Sequence, residues 1–224
     1  MNGQGMSEDR RLCSLVAFYF GAGVAGPDGN ESDKAIRAVS NRASRDLSRT
    51  IRGIGKLNVG ADNPVDALRA RNGGLIVDFI KEIDALAVEA EALQVNFDEK
   101  HVFCCVALIE AFREFSEAQR AGLVMSYGQA QKWLNMTLKY LAVLRHPVVS
   151  NSYHLLHAPL DRIVYGHAKS QFKMKLPVAS GWTWSKLDRV DYVDFQTRLR
   201  GQVAATGRYD CVLDWETDTW LTRG

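Results

Sequence analysis

Ser126-Tyr127-Gly128-Gln129-Ala130-Gln131-Lys132 is a short turn that runs into a helix, and it delivers a lysine to the first helical turn. The helix macrodipole disfavours a cation at that place by a few tenths of a kcal/mol up to about 1 kcal/mol. A lysine so placed is a candidate to serve as a neutral amine, the form that attacks an electrophilic carbon. Further on comes His157-Ala158-Pro159-Leu160-Asp161-Arg162-Ile163-Val164. Pro159 keeps Ala158 extended, and Asp161 is then placed to cap a helix running to about Lys169. One amine and one carboxylate suffice for substitution at a carbon that develops positive charge. The amine attacks, and the carboxylate stabilises the cation or takes the amine's proton. The same spacing also fits plainer roles, a surface lysine and an N-cap aspartate.

Other residues around this pair could hold a substrate. Tyr127 and Gly128 can form a tight hairpin whose backbone N–H groups face a phosphate. Gln129, Gln131 and Asn135 are the polar side chains nearest Lys132 in sequence, and His157 is placed to line a pocket beside Asp161. Trp182 and Trp184 sit in a Gly-bounded segment, Ser180-Gly181-Trp182-Thr183-Trp184-Ser185, that could stack on a flat ring or fill the core. On the helix that continues to about Leu144, Trp133, Met136 or Thr137, Tyr140, Leu141 and Leu144 form the buried stripe. Lys132, Asn135 and Lys139 share the other side.

The elements that must position these residues read as helices throughout, so the expected fold class is all-α. From Ser32 to Lys56, apolar residues at Ile36, Val39, Ala43, Leu47, Ile51 and Ile54 recur at helical spacing. Arg42, Arg45, Arg49 and Arg52 follow the same period on another face, either as a solvated row or as phosphate contacts. Asn63-Pro64 suits the start of the next helix, and Asn72-Gly73-Gly74 reads as a turn. Long amphipathic helices follow from Leu75 to Val95 and from about Asp98 to Ala118. The organisation expected is one domain of two helical lobes with a central cleft. Residues of about 57–145 form a central lobe ending in the Lys132 helix, and about 1–56 plus 146–224 form the second.

Net charge is only 28 − 26 = +2, which by itself speaks against nucleic acid. Counted by segment, however, Lys34 to Lys56 holds seven cations and one acid, Asp46. Tyr127 to Leu176 again holds seven cations and one acid, Asp161, whereas Leu57 to Lys100 is acidic. Two basic blocks with one isolated acid apiece are hidden inside a near-neutral total. Arg162, Lys169 and Lys173 in the second block are further candidates to touch a nucleic-acid backbone.

Several function classes lose support. Four scattered cysteines without a CxxC pair suit neither a disulfide framework nor a metal cluster, and Cys104-Cys105 reads as core filler. His154-x-x-His157 lies in a connection without a third ligand at sensible spacing, so no metal is expected. There is no GxGxxG, P-loop, HExxH or GxSxG, and no cofactor is called for. The run from Leu12 to Phe20 is too short and too interrupted for a membrane span and lacks a cleavage site. A cytoplasmic monomer that makes no membrane contact is expected.

The Gly-x-x-x-Lys turn at a helix start, followed by the Ala158-Pro159-Leu160-Asp161 tetrad opening another helix, resembles the catalytic core of the helix-hairpin-helix DNA glycosylases. Within that superfamily the archaeal 8-oxoguanine glycosylases are the most similar branch: Gln131-Lys132, Lys139 seven residues on, and Pro159-Leu160 before Asp161 match their pattern. The resemblance spans Tyr127 to Val164. The Leu-Pro-Gly-x-Gly hairpin signature and the C-terminal cysteines of cluster-bearing members are absent. It implies an enzyme that flips a nucleotide out of double-stranded DNA. Lys132 would attack C1′ to form a Schiff base, with possible strand cleavage at the abasic site, and Asp161 would stabilise the sugar cation. The base implied is oxidised guanine, with a modified base in invading phage DNA, and hence an anti-phage role, the other substrate left open. A non-catalytic helical module that binds nucleic acid or another partner is the alternative.

Overall fold

Polar caps start the helices where turn-forming residues give way to apolar repeats. Asp33–Ser48 (α2) begins at Ser32, whose Oγ accepts from the Ala35 N–H. Pro64–Asp84 (α3) begins at Asn63, whose side chain accepts from Val65, with Pro64 at the first helical position. Tyr127–Val143 (α5) carries a capping box between Ser126 and Gln129, and Arg162–Phe172 (α7) is capped by Asp161. Arg189–Ala205 (α8) is capped by Asp188. Each such cap contributes about 1 kcal/mol. The computed structural model describes residues 8–24, 32–57, 63–88, 93–177 and 183–222, and every regular element among them is helical. The remaining helices are Glu8–Phe20 (α1), Leu93–Ala118 (α4), Pro147–Asn151 (α6) and Val212–Leu221 (α9).

Asn72-Gly73-Gly74 is not a turn: α3 runs through it. Glycine in a helix interior costs about 1 kcal/mol relative to alanine. The apolar period nevertheless continues past the pair through Ile76, Val77, Phe79 and Ile80, all buried. Burying each of those side chains contributes roughly 1.5–3 kcal/mol, so the packing outweighs the glycines. Arg37 of α2 lies across the pair and donates to the Ala70 carbonyl, 2.9 Å away. The helix expected to reach Val95 ends at Asp84, and α4 starts earlier than expected, at Leu93.

Helices α2, α3, α4 and α5 pack each on the next, with α5 returning to α2. Helix α2, expected with the C-terminal segment, packs instead on α3 and α5. Helix α5 is also in contact with α6, α8 and the 3-10 turn Trp184–Lys186. It is consequently buried on more than the one face read from its sequence: Gln131, Asn135 and Thr137 are as deeply enclosed as Leu134 and Leu138. Trp133 is core, its indole N–H donating to Ser40 of α2. Cys104 and Cys105 are buried too, and burial pushes both thiols up, as core packing requires. Helices α7 and α8 each pack on α9. No helix among the described residues is long and apolar enough to cross a membrane.

Candidate active site around Lys132 and Asp161

Lys132 and Asp161 meet. The lysine Nζ lies 2.9 Å from Asp161 Oδ2 and 3.3 Å from the Pro159 carbonyl oxygen, donating to both. The two side chains are only 15% and 12% exposed, which takes the pair out of the class of weak surface salt bridges. Asp161 divides its oxygens: Oδ1 accepts from the backbone N–H groups of Ile163 and Val164 at 2.8 and 2.9 Å, while Oδ2 faces the lysine. Capping α7 thus fixes the carboxylate that holds Lys132, and the two roles considered for Asp161 belong to different atoms.

Both residues open on one cavity of about 260 Å³. Met136, Tyr140, Trp184 and Trp220 supply its apolar walls, and Asp46, Arg49 and Thr50 reach it from α2 and the turn that follows. Lys132 Nζ stands 6.0 Å from the centre of the Trp184 ring. Tyr140 donates to Asp46 at 3.0 Å, and Arg42 pairs with the same carboxylate at 3.3 Å while lying over the Tyr19 ring. Burial, with Asp46 beside it, pushes the Tyr140 phenol up, so it remains a donor. The single acid of each basic block therefore lines the same cavity. A larger groove, about 800 Å³, runs between α4 and α8 past Val102, Phe103, Val106, Val190 and Val193. Its lining carries the carboxylates of Asp98, Glu99 and Asp194 and the guanidinium of Arg189, whereas the Lys132–Asp161 pair lies on the smaller cavity.

Gly128 sets the aromatic wall. Its N–H donates to the Leu187 carbonyl at 2.9 Å, and a Cβ at this position would stand 2.0 Å from the Trp184 carbonyl oxygen. Only glycine lets the 184–186 turn approach α5 this closely. Ser126 Oγ adds a bond to the Ser185 carbonyl. Of the Tyr127 and Gly128 N–H groups expected to face a phosphate, that of Gly128 is thus already used by Leu187. Tyr127 is buried against Tyr192, their rings 5.3 Å apart.

Gln129, Gln131, Asn135 and His157, also expected to meet substrate, do not line the cavity. Gln129 completes the capping box and donates to the Thr50 carbonyl, tying the end of α2 to α5. Gln131 and Asn135 are buried and bonded to each other. His157 points away from the cavity, between Tyr192 and Asp98. Trp182 lies outside the described residues; Trp184 lines the cavity. Lys139 turns to Glu216 of α9, a buried carboxylate that burial pushes up and Lys139 pulls down. Arg45, Arg49 and Arg52 have no acidic partner among the described residues, and all three are exposed, Arg49 at the edge of the cavity. Arg162 is exposed at the start of α7, whereas Lys173 folds back on the Ser170 carbonyl and Lys169 lies exposed near the end of the helix. Among the described residues no cluster could hold a metal ion.

Asp46, Thr50, Tyr140 and Trp220 were not foreseen as lining. Asp46 had a signal, being the only acid in its basic block; Trp220 had none, because nothing near it in sequence marks the cavity. No protein-family model, no curated protein and no solved structure matches the chain.

Proposed function

We propose that this protein is a DNA N-glycosylase that everts a damaged or modified nucleotide into the Lys132–Asp161 cavity. The observation that carries the reading is the paired amine and carboxylate, 2.9 Å apart, at a cavity with tryptophan walls. Its volume lies just under the roughly 300 Å³ at which drug-sized pockets begin, which suits one base better than a larger ligand. The likeness of the 127–164 segment to the helix-hairpin-helix glycosylases supports the same reading.

In this mechanism Lys132 passes a proton to Asp161 Oδ2, along the bond it already makes. Its nitrogen lone pair forms the N–C1′ bond as the C1′–base bond breaks, and the electron pair leaves with the base, which takes a proton from solvent. The proton moves only as the N–C1′ bond closes, so Asp161 is still a carboxylate while the C1′–base bond stretches and stabilises the positive charge that develops on the sugar. Opening of the sugar ring, with a proton delivered to its oxygen, leaves the Schiff base, from which elimination cleaves the strand. Trp184 and Trp220 offer faces for stacking the base. Arg45, Arg49, Arg52 and Arg162 hold the backbone without reading sequence. Oxidised guanine is the base the resemblance implies, and a modified base of phage DNA is the other.

The test is a panel of duplexes carrying oxidised guanine, uracil, alkylated bases or phage hypermodified bases, scored for abasic sites and for adducts trapped with borohydride. The wild-type protein should release one class of base and be trapped on its product, and Lys132→Gln should give no adduct. Salt-sensitive binding without abasic product on any duplex, or an undiminished adduct in Lys132→Gln, would overturn the assignment.

A further inference from the structure

We propose that Gln131 is a positioning residue that sets Asp161 against Lys132, and that a buried hydrogen-bond chain starting at Arg200 fixes the orientation of its amide. The catalytic part of the inference rests on the glycosylase reading; the geometric part does not.

Asp161 stands at the end of an irregular segment whose peptide carbonyls are held by side chains from elsewhere. Ala158 O accepts from Gln196 at 2.6 Å and Asn135 at 3.4 Å, Pro159 O from Lys132 at 3.3 Å, and Leu160 O from Gln131 at 3.3 Å. Gln131 Nε2 also donates to the Gly128 carbonyl at 2.9 Å. One amide nitrogen therefore links the first turn of α5, which carries Lys132 and seats the Trp184 turn, to the residue preceding Asp161. The side chain is fully buried next to the proposed nucleophile. An apolar residue there would fill the space without the penalty of about 1–3 kcal/mol that an unsatisfied amide carries.

The amide has one possible orientation. Its Oε1 accepts from Asn135 Nδ2 at 3.0 Å, and Asn135 Nδ2 also donates to the Tyr192 hydroxyl at 2.9 Å. Asn135 Oδ1 accepts from His101 Nε2 at 2.7 Å. Tyr192 donates to His157 Nδ1 at 2.7 Å, and His157 Nε2 donates to Asp98 at 2.8 Å. Asp98 is gripped by both terminal nitrogens of Arg200. A single set of protons, with both histidines neutral, satisfies every one of these bonds. Turning Gln131 over would set its nitrogen against Asn135 Nδ2 and its oxygen against two carbonyls. Order imposed at Arg200 and Asp98 thus reaches Leu160 through matched donors and acceptors.

Two variants test this, Gln131→Met, which keeps the volume, and Asn135→Leu, which removes the partner of the amide oxygen and cuts the chain. Base release in single turnover should fall roughly 10–100-fold, as loss of a supporting contact typically does, at unchanged DNA affinity. Trapping on DNA that already contains an abasic site involves no departing base and no sugar cation for Asp161 to stabilise, and it should stay within about threefold, since the substitutions remove no group that touches the sugar. Independently of any activity, the stability coupling between Lys132→Met and Asp161→Asn in a double-mutant cycle should fall to less than about half in the Gln131→Met background. Unchanged coupling overturns the proposal, as does parallel loss of base release, trapping and cooperative melting, which would make Gln131 a core residue only. If the wild type neither releases a base nor is trapped while the coupling still falls, the glycosylase reading has failed and the positioning role stands.

Discussion

Asp161→Asn separates the two functions that share this side chain. Asparagine caps helices as well as aspartate, so the bonds from Ile163 and Val164 to Oδ1 survive at little cost. What changes is the atom facing Lys132: an acceptor carrying charge becomes an amide without it. A hydrogen bond to a charged group is typically worth about 1.5–3 kcal/mol, and this pair is nearly but not wholly buried. The expected loss of stability is therefore about 1–3 kcal/mol, between a surface pair and a buried one. For a chain of this size that corresponds to a melting temperature lower by roughly 2–12 °C. Asp161→Ala removes the cap as well and should cost about 1 kcal/mol more. Base release should respond differently, falling about 10²–10³-fold in both variants, because both lack the charge opposite the sugar cation. Thermal melting and single-turnover base release on the same preparations read the two effects. Asn and Ala variants that melt together would refute the division of the two oxygens, and an Asn variant within tenfold of wild-type base release would refute the catalytic charge.

Gly128→Ala should destabilise the protein by about 1–3 kcal/mol, the usual cost of overpacking, because its Cβ must displace the Trp184 carbonyl; a melting temperature equal to wild type would show that the 184–186 turn moves freely. Replacing Arg45, Arg49 or Arg52 with Gln should weaken DNA binding uniformly across sequences and lower the salt slope by about 1 per residue, and an unchanged slope in titrations at several salt concentrations would remove the end of α2 and the turn after it from the interface. Acid should unfold the protein in two stages. Burial pushes His101 and His157 below the ordinary histidine range, so below a pH of about 6.5 the unfolded chain binds protons that the folded one refuses, and stability falls by up to about 1.4 kcal/mol per pH unit for each. Burial opposes the charge of Asp98, but hydrogen bonds from His157 and Arg200 prevail and hold its carboxyl well below the usual range. Its contribution is present above the unfolded value of 3.8 and is lost only as the pH falls further. A melting temperature flat from pH 7.5 to 5 would contradict the neutral histidines.

Local signals in the chain were legible where they depend on a few adjacent residues. The Ser126 turn, the Pro159-to-Asp161 cap and the start of α2 form where their spacing puts them, but α2 ends at Ser48, and Ile51 and Ile54, read as its last apolar repeats, are buried from the turns that follow it. The polar faces were harder to read. On α5 the periodicity marks one apolar stripe, but the helix is wrapped by α2, α4, α6, α8 and the 184–186 turn, so residues on its apparently outer side become interior. Asn135 and Gln131 look the same in sequence whether they meet solvent, substrate or each other, because their partners lie on α4, α8 and the 158–160 segment. Gly128 read as a phosphate loop for a similar reason: a glycine needed for close approach looks the same whether the approaching group is a ligand or Trp184. The helices α8 and α9 went unread because their burial depends on one another and on α5, not on a strong period of their own.

The two isolated acids bear on how a polyanion could deliver a neutral base to this cavity. Asp161 is matched by Lys132 and Asp46 by Arg42, which flanks the lining, so both acids of the cavity are cancelled and Arg49, exposed at its edge, is the unmatched cation of the lining. Outside, Arg45, Arg52 and Arg162 are exposed and unmatched among the described residues. At about 4 Å and an effective dielectric near 20, one unmatched unit charge attracts another of opposite sign by about 4 kcal/mol, while a matched pair largely cancels at the same distance. Phosphates are thereby drawn to the rim and given little reason to enter, and the group that gains most from the interior is an uncharged ring set against Trp184 and Trp220. Without Asp46, Arg42 and Arg49 would together make the α2 side of the cavity a phosphate trap. An Asp46→Asn variant should accordingly be inhibited by inorganic phosphate or sulfate at concentrations that leave the wild type unaffected, and equal inhibition of the two would show that the pairing does not govern what enters.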